Sequence, residues 1–340
     1  MSDTSINPQT KISRRDFLKI TAIAGLAVVG LGTAVGRKFP SLRELARVSE
    51  THYLMGTIVN FNIIAIDEDQ GREAIRKTVT EMERLIAIFD HRPSGTALRK
   101  LNQDGVLNDA PIELLETIKQ SLDLGSLSQG AFDITVLPIV EAFKAGLSDT
   151  THLKNIVDFR QVLVTGSTIH FARPGMSITL DGIAKGRIVD GGVGVLKNMG
   201  FYNVLVEAGG DMMAASSVTE GQSWNIAISN PRPSDGQQFI ASFSVKDKAV
   251  TTSGDYLNYF SSDYSRHHII DPRTSQSPSE LASATVIAPS ASEADALSTT
   301  LMVMGAQKGL DFIQQLPDVQ ALVVTRDLVI YKTADFPITY

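Results

Sequence analysis

The sequence contains no cysteine among its 340 residues. This absence excludes a disulfide framework, a thiolate metal site, a cysteine nucleophile and a lipid-modified cysteine anchor. The folded state must therefore be stabilised by its core, and a hydrophobic content of 43% in a chain of this length is enough to build one.

Positive charge is not in excess either. Lysine and arginine number 31 against 37 aspartates and glutamates, which gives a formal net charge of −6 at pH 7. Nucleic-acid binding depends on basic surfaces that neutralise phosphates. We therefore expect no nucleic-acid partner.

The apolar run near the N-terminus, residues 20–35, is shorter and richer in glycine than a typical membrane span. It follows residues 13–19, SRRDFLK, a pattern typical of a twin-arginine export signal. We interpret residues 1–36 as this signal, and a basic amphipathic helix is the alternative. Export by the twin-arginine translocation machinery would place the protein in the periplasm, and an uncleaved signal would leave it anchored in the inner membrane.

After a polar linker at residues 37–50, hydrophobic periodicity predicts both helices and strands within one folded domain, residues 51–340. No internal repeat interrupts it. Helices are predicted at 71–88, 112–127, 182–199, 293–304 and 308–315. Strands are predicted at 53–66, 162–165, 168–171, 177–180, 204–206, 224–228, 239–245, 268–270, 284–287 and 321–324. The pattern indicates an α+β fold with a long mixed or antiparallel sheet flanked by helices.

Residues 178–190, ITLDGIAKGRIVD, lead from a predicted strand through a glycine-containing turn into a helix that carries Lys185 early. Backbone N–H groups and a cation at such a turn suit a pyrophosphate. The spacing is not that of a Walker loop. An ordinary tight strand–helix connection stays open as the alternative.

Glycines mark the segment 207–211, EAGGD, which follows a predicted strand. Paired glycines at a strand end let a ligand approach the backbone closely. A simple hairpin turn explains the same residues.

Three oxygen-bearing side chains share one face of the helix predicted at 293–304. Asp295, Ser298 and Thr299 stand at positions i, i+3 and i+4. One carboxylate with hydroxyls, water and substrate phosphate is a ligand set that Mg²⁺ commonly uses. The alternative is a capping box, because Ser292 and Asp295 have the required spacing.

Histidines offer one candidate for proton transfer. His267 and His268 are adjacent, and neutral histidine is a suitable general base near physiological pH. Without further context, a histidine at the surface or at the edge of the core is the more common explanation of such a pair. The other four, His52, His91, His152 and His170, lack a common ligand spacing, so the sequence does not favour a zinc site.

Seven short motifs, taken in order, resemble the ApbE family of FAD:protein FMN transferases over about residues 50–331. They are MGT at 55–57, GAFD at 130–133, LDGIAKG at 180–186, GGD at 209–211, TSGD at 252–255, HIIDP at 268–272 and DALST at 295–299. The resemblance implies an ApbE-like, T-fold-related architecture. It also implies a phosphotransferase-type enzyme that moves FMN from FAD to a threonine or serine hydroxyl of an acceptor protein and releases AMP.

The resemblance further implies roles for individual residues. Mg²⁺ would be held by the Ala184 carbonyl, the Asp295 carboxylate and the Thr299 hydroxyl, together with Ser298. His268 would take the proton of the attacking hydroxyl, assisted by Asp255 or Asp271. The FAD site would be lined by Met55, Ala131, Phe132, Asp133, Asp181, Lys185 and Ile269.

Two positions depart from the family pattern. His91 stands where the family often has an aromatic residue near the flavin, and Ser275 replaces the glycine that usually follows a Pro-Arg-Thr segment. The flavin-stacking contact and the turn at Ser275 are therefore not carried over.

The resemblance implies an exported or membrane-anchored flavoprotein subunit as the FMN acceptor. Two other activities use the same ligand. A Mg²⁺-dependent FAD pyrophosphatase would use water in place of the protein hydroxyl and give FMN and AMP, and a non-catalytic carrier would hold FAD without turnover.

Overall fold

A computed structural model describes residues 46–147, 149–216, 223–233 and 238–338. The predicted signal segment, residues 1–36, and the predicted linker up to residue 45 lie outside the described residues. Within these ranges no helix combines the length and the hydropathy that crossing a bilayer requires.

The described residues form seven α-helices and thirteen strands. The helices are α1 Glu68–Phe89, α2 Ala97–Asp104, α3 Ile112–Leu127, α4 Leu137–Lys144, α5 Ala184–Asn198, α6 Ala291–Met304 and α7 Ala306–Ile313. The first strands are β1 Ala46–Leu54, β2 Thr57–Ala65, β3 Val106–Leu107, β4 Val162–Thr165, β5 Thr168–Phe171, β6 Val204–Ala208 and β7 Asp211–Ala215. The remaining strands are β8 Trp224–Ser229, β9 Phe239–Val245, β10 Lys248–Gly254, β11 Leu281–Ala288, β12 Gln320–Thr325 and β13 Ile330–Lys332.

The main sheet of the described chain has eight strands in the order β1-β2-β6-β7-β10-β11-β12-β13. Its neighbouring strands are antiparallel throughout. A three-stranded sheet, β3-β5-β4, and the hairpin β8-β9 accompany it. The predicted α+β class with helices beside an antiparallel sheet is confirmed.

Both faces of this sheet are covered. Along β6, Val204 and Val206 belong to the core shared with the helices, whereas Leu205 between them packs in a second core with Trp224 of β8. Successive side chains of a strand point to opposite faces. The helices therefore cover one face and the β8-β9 hairpin covers the other, which explains why β6 is apolar at consecutive positions.

The opening strand was predicted as one element at 53–66, and this is wrong. β1 and β2 form a hairpin, with Met55 and Gly56 at φ 53° and 71° in the turn between them. A two-residue turn with both φ values positive matches the twist of antiparallel strands. β1 begins at Ala46 and pairs with β2 along its whole length, so residues 46–50 of the predicted linker belong to this strand.

Two other predicted strands are also wrong. Residues 177–180 are largely buried but pair with no neighbouring strand. The side-chain amide of Asn102 instead donates to the carbonyl of Ile178 and accepts from its N–H, each at 2.8 Å. Residues 268–270 form a loop whose first backbone N–H donates to the carbonyl of Asn258. Apolar runs thus mark burial at both places and not strand pairing.

Helices α5 and α6 pack unusually closely at their N-terminal ends. A Cβ added to Gly186 would lie 2.1 Å from the carbonyl oxygen of Ala291. Nearby, the Asp190 carboxylate accepts hydrogen bonds from the N–H groups of Ala291 at 2.8 Å and Ser292 at 2.9 Å. Ser290 is the N-cap of α6 and accepts from Glu293, so the capping box considered for Ser292 and Asp295 is not formed.

We expect Gly186→Ala to destabilise the protein by about 3 kcal/mol or more, because the new methyl group meets backbone that cannot move aside. Gly194 lies in the same helix with no atom near its added Cβ position. Gly194→Ala should therefore stabilise the fold by about 0.5–1 kcal/mol through helix propensity. Denaturant unfolding of both variants measures the difference, and equal effects would contradict the close packing of α5 on α6.

Candidate active site

A buried ion pair lies where α5 meets the central strands. Lys185 is the second residue of α5, and Asp211 opens β7 directly after the Gly209–Gly210 hairpin turn. The Lys185 ammonium lies 2.5 Å from a carboxylate oxygen of Asp211, whose side chain is only 2% exposed. Segment 207–211 is a hairpin turn, as its alternative interpretation predicted. The turn places the Asp211 carboxylate beside Lys185, the lysine predicted to bind phosphate.

Asp295 supplies a second carboxylate from α6. It is buried, and its Oδ2 accepts a hydrogen bond of 3.0 Å from the N–H of Gly186. Burial together with the negative charge of Asp211 raises the pKa of Asp295 well above its usual range, although Lys185 partly offsets this. Burial also lowers the pKa of Lys185, but the carboxylates of Asp211 and Asp295 outweigh it and raise that pKa overall. Two buried carboxylates therefore share one ammonium, so Asp295 has no cation of its own and its neutral form is favoured.

Hydroxyl groups form a ladder next to Asp295. Ser253 of β10 lies 2.8 Å from Ser298 and 3.3 Å from Thr299, measured between hydroxyl oxygens. Ser298 also donates to the Asp295 carbonyl at 2.9 Å. The predicted set of Asp295, Ser298 and Thr299 is thus brought together on the face of α6 that meets the sheet.

The turn that precedes α5 passes directly beside these hydroxyls. A Cβ added to Gly182 would lie 3.1 Å from the Thr299 hydroxyl oxygen and 3.4 Å from the Phe132 ring. Ala184 is the first residue of α5, two positions before the N–H that bonds Asp295. The structure therefore places Phe132, Ala184 and Lys185 around the oxygen-rich face.

Asp181 faces this site from the other end of the same turn. Arg92 binds it with two parallel contacts, 3.2 Å and 2.6 Å between nitrogen and oxygen. Burial raises the pKa of Asp181, but the Arg92 guanidinium outweighs it and lowers that pKa overall. His91, beside Arg92, is buried, and burial lowers its pKa. Arg92 and His91 thus add a cation and a neutral ring next to Asp181.

His268 has a defined orientation. Both its backbone N–H and its ring Nδ1 lie 3.0 Å from the carbonyl oxygen of Asn258. A carbonyl only accepts, so Nδ1 carries the proton and Nε2 keeps its lone pair. Burial lowers the pKa of His268 to about 4, with His267 and Lys185 adding to this and Asn258 and Asp181 opposing it. The imidazole is therefore neutral near pH 7 and able to accept a proton at Nε2.

The carboxylates predicted to assist His268 are engaged elsewhere. Arg232 binds both oxygens of Asp255 at 2.8 and 2.7 Å. Arg273 binds both oxygens of Asp271 at 2.8 and 2.9 Å. His268 is oriented by a backbone carbonyl and not by either aspartate.

The other predicted flavin-site residues belong to the main core or cap a short helix. Met55 is in the β1-β2 turn and packs against the main core, to which Ile269 and Ala131 also belong. Asp133 caps a short 3₁₀ helix: its Oδ1 accepts from Thr135 at 2.8 Å and its Oδ2 accepts from the N–H of Phe159 at 3.0 Å. Burial raises the pKa of Asp133 to about 6. Contact of these residues with FAD stays a prediction.

Three residues join the site that sequence reasoning did not single out: Asp211, Ser253 and Arg92. Asp211 and Ser253 stand inside motifs that the sequence analysis did identify, GGD and TSGD. Arg92 and Asp181 are 89 positions apart in the chain, so no local sequence pattern predicts that they form a pair.

The donor set fits a hard divalent cation. It consists of carboxylate, hydroxyl and carbonyl oxygens, which magnesium prefers, and its two carboxylates have only the Lys185 ammonium between them. In the described ranges no three histidine, aspartate or glutamate side chains cluster closely enough to hold a metal alone. A cation here would take its remaining ligands from hydroxyls, backbone, water and substrate phosphate.

Comparison with known proteins identifies a family and several relatives for this chain. Residues 55–323 match the model of the ApbE family. A FAD:protein FMN transferase from Vibrio cholerae is 31% identical over 274 residues, covering 75% of this chain and 81% of that protein. One from Salmonella typhimurium is 28% identical over 281 residues, covering 77% and 79%.

Solved structures agree with the sequence relatives. The flavin transferase ApbE from Vibrio cholerae superposes with a TM-score of 0.72 at 26% identity, over 85% of this chain and 97% of that one. The ApbE protein from Thermotoga maritima gives a TM-score of 0.76 at 25% identity, with the same coverage of 85% and 97%.

Proposed function

This chain belongs to the ApbE family, and on that premise we propose that it transfers FMN from FAD to a hydroxyl of an acceptor protein and releases AMP. The observation that carries the proposal is one buried site combining the Lys185–Asp211 ion pair, the Asp295 carboxylate and a hydroxyl ladder. Lys185 and Asp181 both influence the pKa of His268, and the bond of its Nδ1 to Asn258 leaves Nε2 to take a proton. Phosphoryl transfer needs positioning and charge stabilisation of this kind.

In the reaction, the acceptor hydroxyl oxygen forms a bond to the phosphorus of the FMN portion. The bond between that phosphorus and the bridging oxygen breaks, and AMP leaves with the bridging oxygen. His268 Nε2 takes the hydroxyl proton. Asp211 holds Lys185 in its charged form, so the ammonium offsets negative charge that builds up on the phosphoryl oxygens.

We include Mg²⁺ in the proposal. The Asp295 carboxylate, the Thr299 and Ser298 hydroxyls and the Ala184 carbonyl would hold it, in line with an oxygen donor set in which two carboxylates share one ammonium. Bound there, the ion would neutralise pyrophosphate oxygens and so favour departure of AMP.

Transfer is tested by mass spectrometry. The purified protein is incubated with FAD, Mg²⁺ and exported flavoprotein subunits, and we expect one subunit to gain the mass of one FMN. Chelation with EDTA should abolish the gain, and readded Mg²⁺ should restore it. Free FMN and AMP without a labelled protein would instead establish a pyrophosphatase, and unchanged FAD with every acceptor would establish a carrier.

The proposal extends to the compartment. Residues 13–19 support export by the twin-arginine machinery, so the acceptor would be an exported or membrane-anchored flavoprotein subunit. Changing both Arg14 and Arg15 to lysine should prevent export, and cell fractionation should then find the protein in the cytoplasm. Lys11→Arg is the matched control and should not change the distribution. A double variant that still reaches the periplasm would contradict this route.

A further inference from the structure

The segment between β10 and His268 forms a compact loop, residues 256–267, that closes on itself. The N–H of Phe260 donates to the carbonyl of Arg266 at 2.7 Å, and Tyr259 pairs with His267 as an isolated β-bridge. At one side of the loop the Phe260 ring packs on Phe143 of α4. The loop therefore has a defined shape, and Asn258 lies near its start.

An ion cluster ties the base of this loop to its tip. Asp255, at the base, is completely buried, accepts hydrogen bonds from Arg232 and forms an ion pair with Arg326 Nε at 3.1 Å. Arg326 also donates to the backbone carbonyl of Tyr264 at the tip. The Arg232 guanidinium stacks over the Tyr264 ring, 4.2 Å from its centroid.

The two arginines come from separate parts of the chain. Arg232 follows β8, and Arg326 lies directly after β12. A guanidinium has five donors in a fixed plane, so each arginine can hold Asp255 and Tyr264 at once, which a lysine ammonium cannot do with the same geometry. Neutralising Asp255 alone would need only one of them.

What the loop presents to the active site is the carbonyl of Asn258. This oxygen lies 3.0 Å from His268 Nδ1 and fixes which ring nitrogen carries the proton. We propose that the Asp255–Arg232–Arg326 cluster positions His268 by holding the 256–267 loop so that the Asn258 carbonyl keeps the imidazole in its Nδ1–H form. The inference rests on the proposed function, in which His268 Nε2 accepts a proton. The three clustered residues act through the loop and are positioning residues.

The test reads the tautomer directly. The ¹⁵N spectrum of ¹⁵N-histidine-labelled protein, recorded without FAD or metal at neutral pH, separates Nδ1–H from Nε2–H imidazoles, and His268→Gln assigns the signal. We expect the Nδ1–H form in the unmodified protein. In Arg326→Gln the signal should move toward the Nε2–H form that free histidine favours. Arg84→Gln is the control and should leave the signal unchanged, because this α1 arginine bonds Glu81 of the same helix and Glu113 of α3.

Arg326→Lys keeps a positive charge opposite Asp255, but a lysine cannot contact both Asp255 and Tyr264. It therefore serves as the test variant if Arg326→Gln does not fold. It should also shift the tautomer signal. In both variants we expect kcat for FMN transfer to fall by about tenfold to a hundredfold, with KM for FAD nearly unchanged. A folded variant whose His268 stays in the Nδ1–H form would overturn the positioning role. Because the spectrum needs no turnover, a protein without FMN transfer activity would refute the proposed function and leave this test intact.

Discussion

Replacing Asp295 with asparagine is expected to lower FMN transfer by about a hundredfold to a thousandfold and, at the same time, to raise the melting temperature of the metal-free protein. The carboxylate is buried beside Asp211, and both groups share the single ammonium of Lys185. Asparagine is nearly isosteric and can still accept the hydrogen bond from Gly186. It removes the negative charge that the proposed Mg²⁺ site requires, and it also removes repulsion from Asp211.

The sign of the stability effect follows from the direction of the pKa shift. The pKa of Asp295 is raised in the folded protein, chiefly by burial. The folded state therefore binds more protons than the unfolded chain at pH values between the unfolded and the folded pKa, and stability falls as the pH rises through that window. Above it the full cost of the ionised carboxylate remains, and Asp295→Asn relieves that cost.

Thermal unfolding with and without Mg²⁺ separates the two effects of Asp295→Asn. Added Mg²⁺ should raise the melting temperature of the unmodified protein and leave that of the variant unchanged. Asp311→Asn, an exposed aspartate of α7 bonded to Gln307, is the control and should keep both activity and the Mg²⁺ response. A variant that loses activity and stability together would show that Asp295 is structural.

Helices were the part of the fold that sequence pattern described best. The helix predicted at 112–127 is α3 with the same bounds, and α5 and α6 lie within two residues of their predictions. An amphipathic stripe repeats every turn, so it is visible over a long window. The short helices α2 and α4 were missed, because one or two turns give too little periodicity to detect.

Strand β10 shows why the sheet was harder to predict. Its residues 251–254 have the composition of a turn, and no strand was predicted there from the sequence. In the fold this strand lies between β7 and β11 in the middle of the sheet and is largely buried. Tertiary packing overrides the local preference of threonine, serine and glycine. The small side chains have a use there, because they leave room for α6 and place Ser253 against Ser298.

The active site was predictable only where one element carries several of its members. Asp295, Ser298 and Thr299 follow helical spacing, so their common face could be derived from the sequence. The pairing of Lys185 with Asp211 and that of Arg92 with Asp181 join different elements, and neither spacing nor composition reveals them. The loop that orients His268 is of the same kind, since its arginines come from distant segments.

We expect His268→Gln to lower kcat for FMN transfer by about a hundredfold or more, because a positioned general base contributes about 10²–10⁴ to such reactions. Glutamine can still donate to the Asn258 carbonyl but has no nitrogen that accepts a proton. KM for FAD should change little if the role of His268 is proton transfer. His152→Gln, a replacement of an exposed histidine, is the control and should leave both constants unchanged.

The pH dependence gives His268 a signature that a structural role would not produce. Burial lowers its pKa to about 4, so the imidazole remains an acceptor well below the ordinary histidine range. We expect the acidic limb of kcat/KM to lie near that value and to disappear in His268→Gln. In the folded state His268 binds fewer protons than in the unfolded chain between pH 4 and the ordinary value of about 6.5, so it makes stability fall as the pH falls through this window. His268→Gln should therefore be less sensitive to acid in thermal unfolding than the unmodified protein. An acidic limb near pH 6.5 would place His268 in contact with water or with a free carboxylate, and the orientation by Asn258 would then not hold in solution.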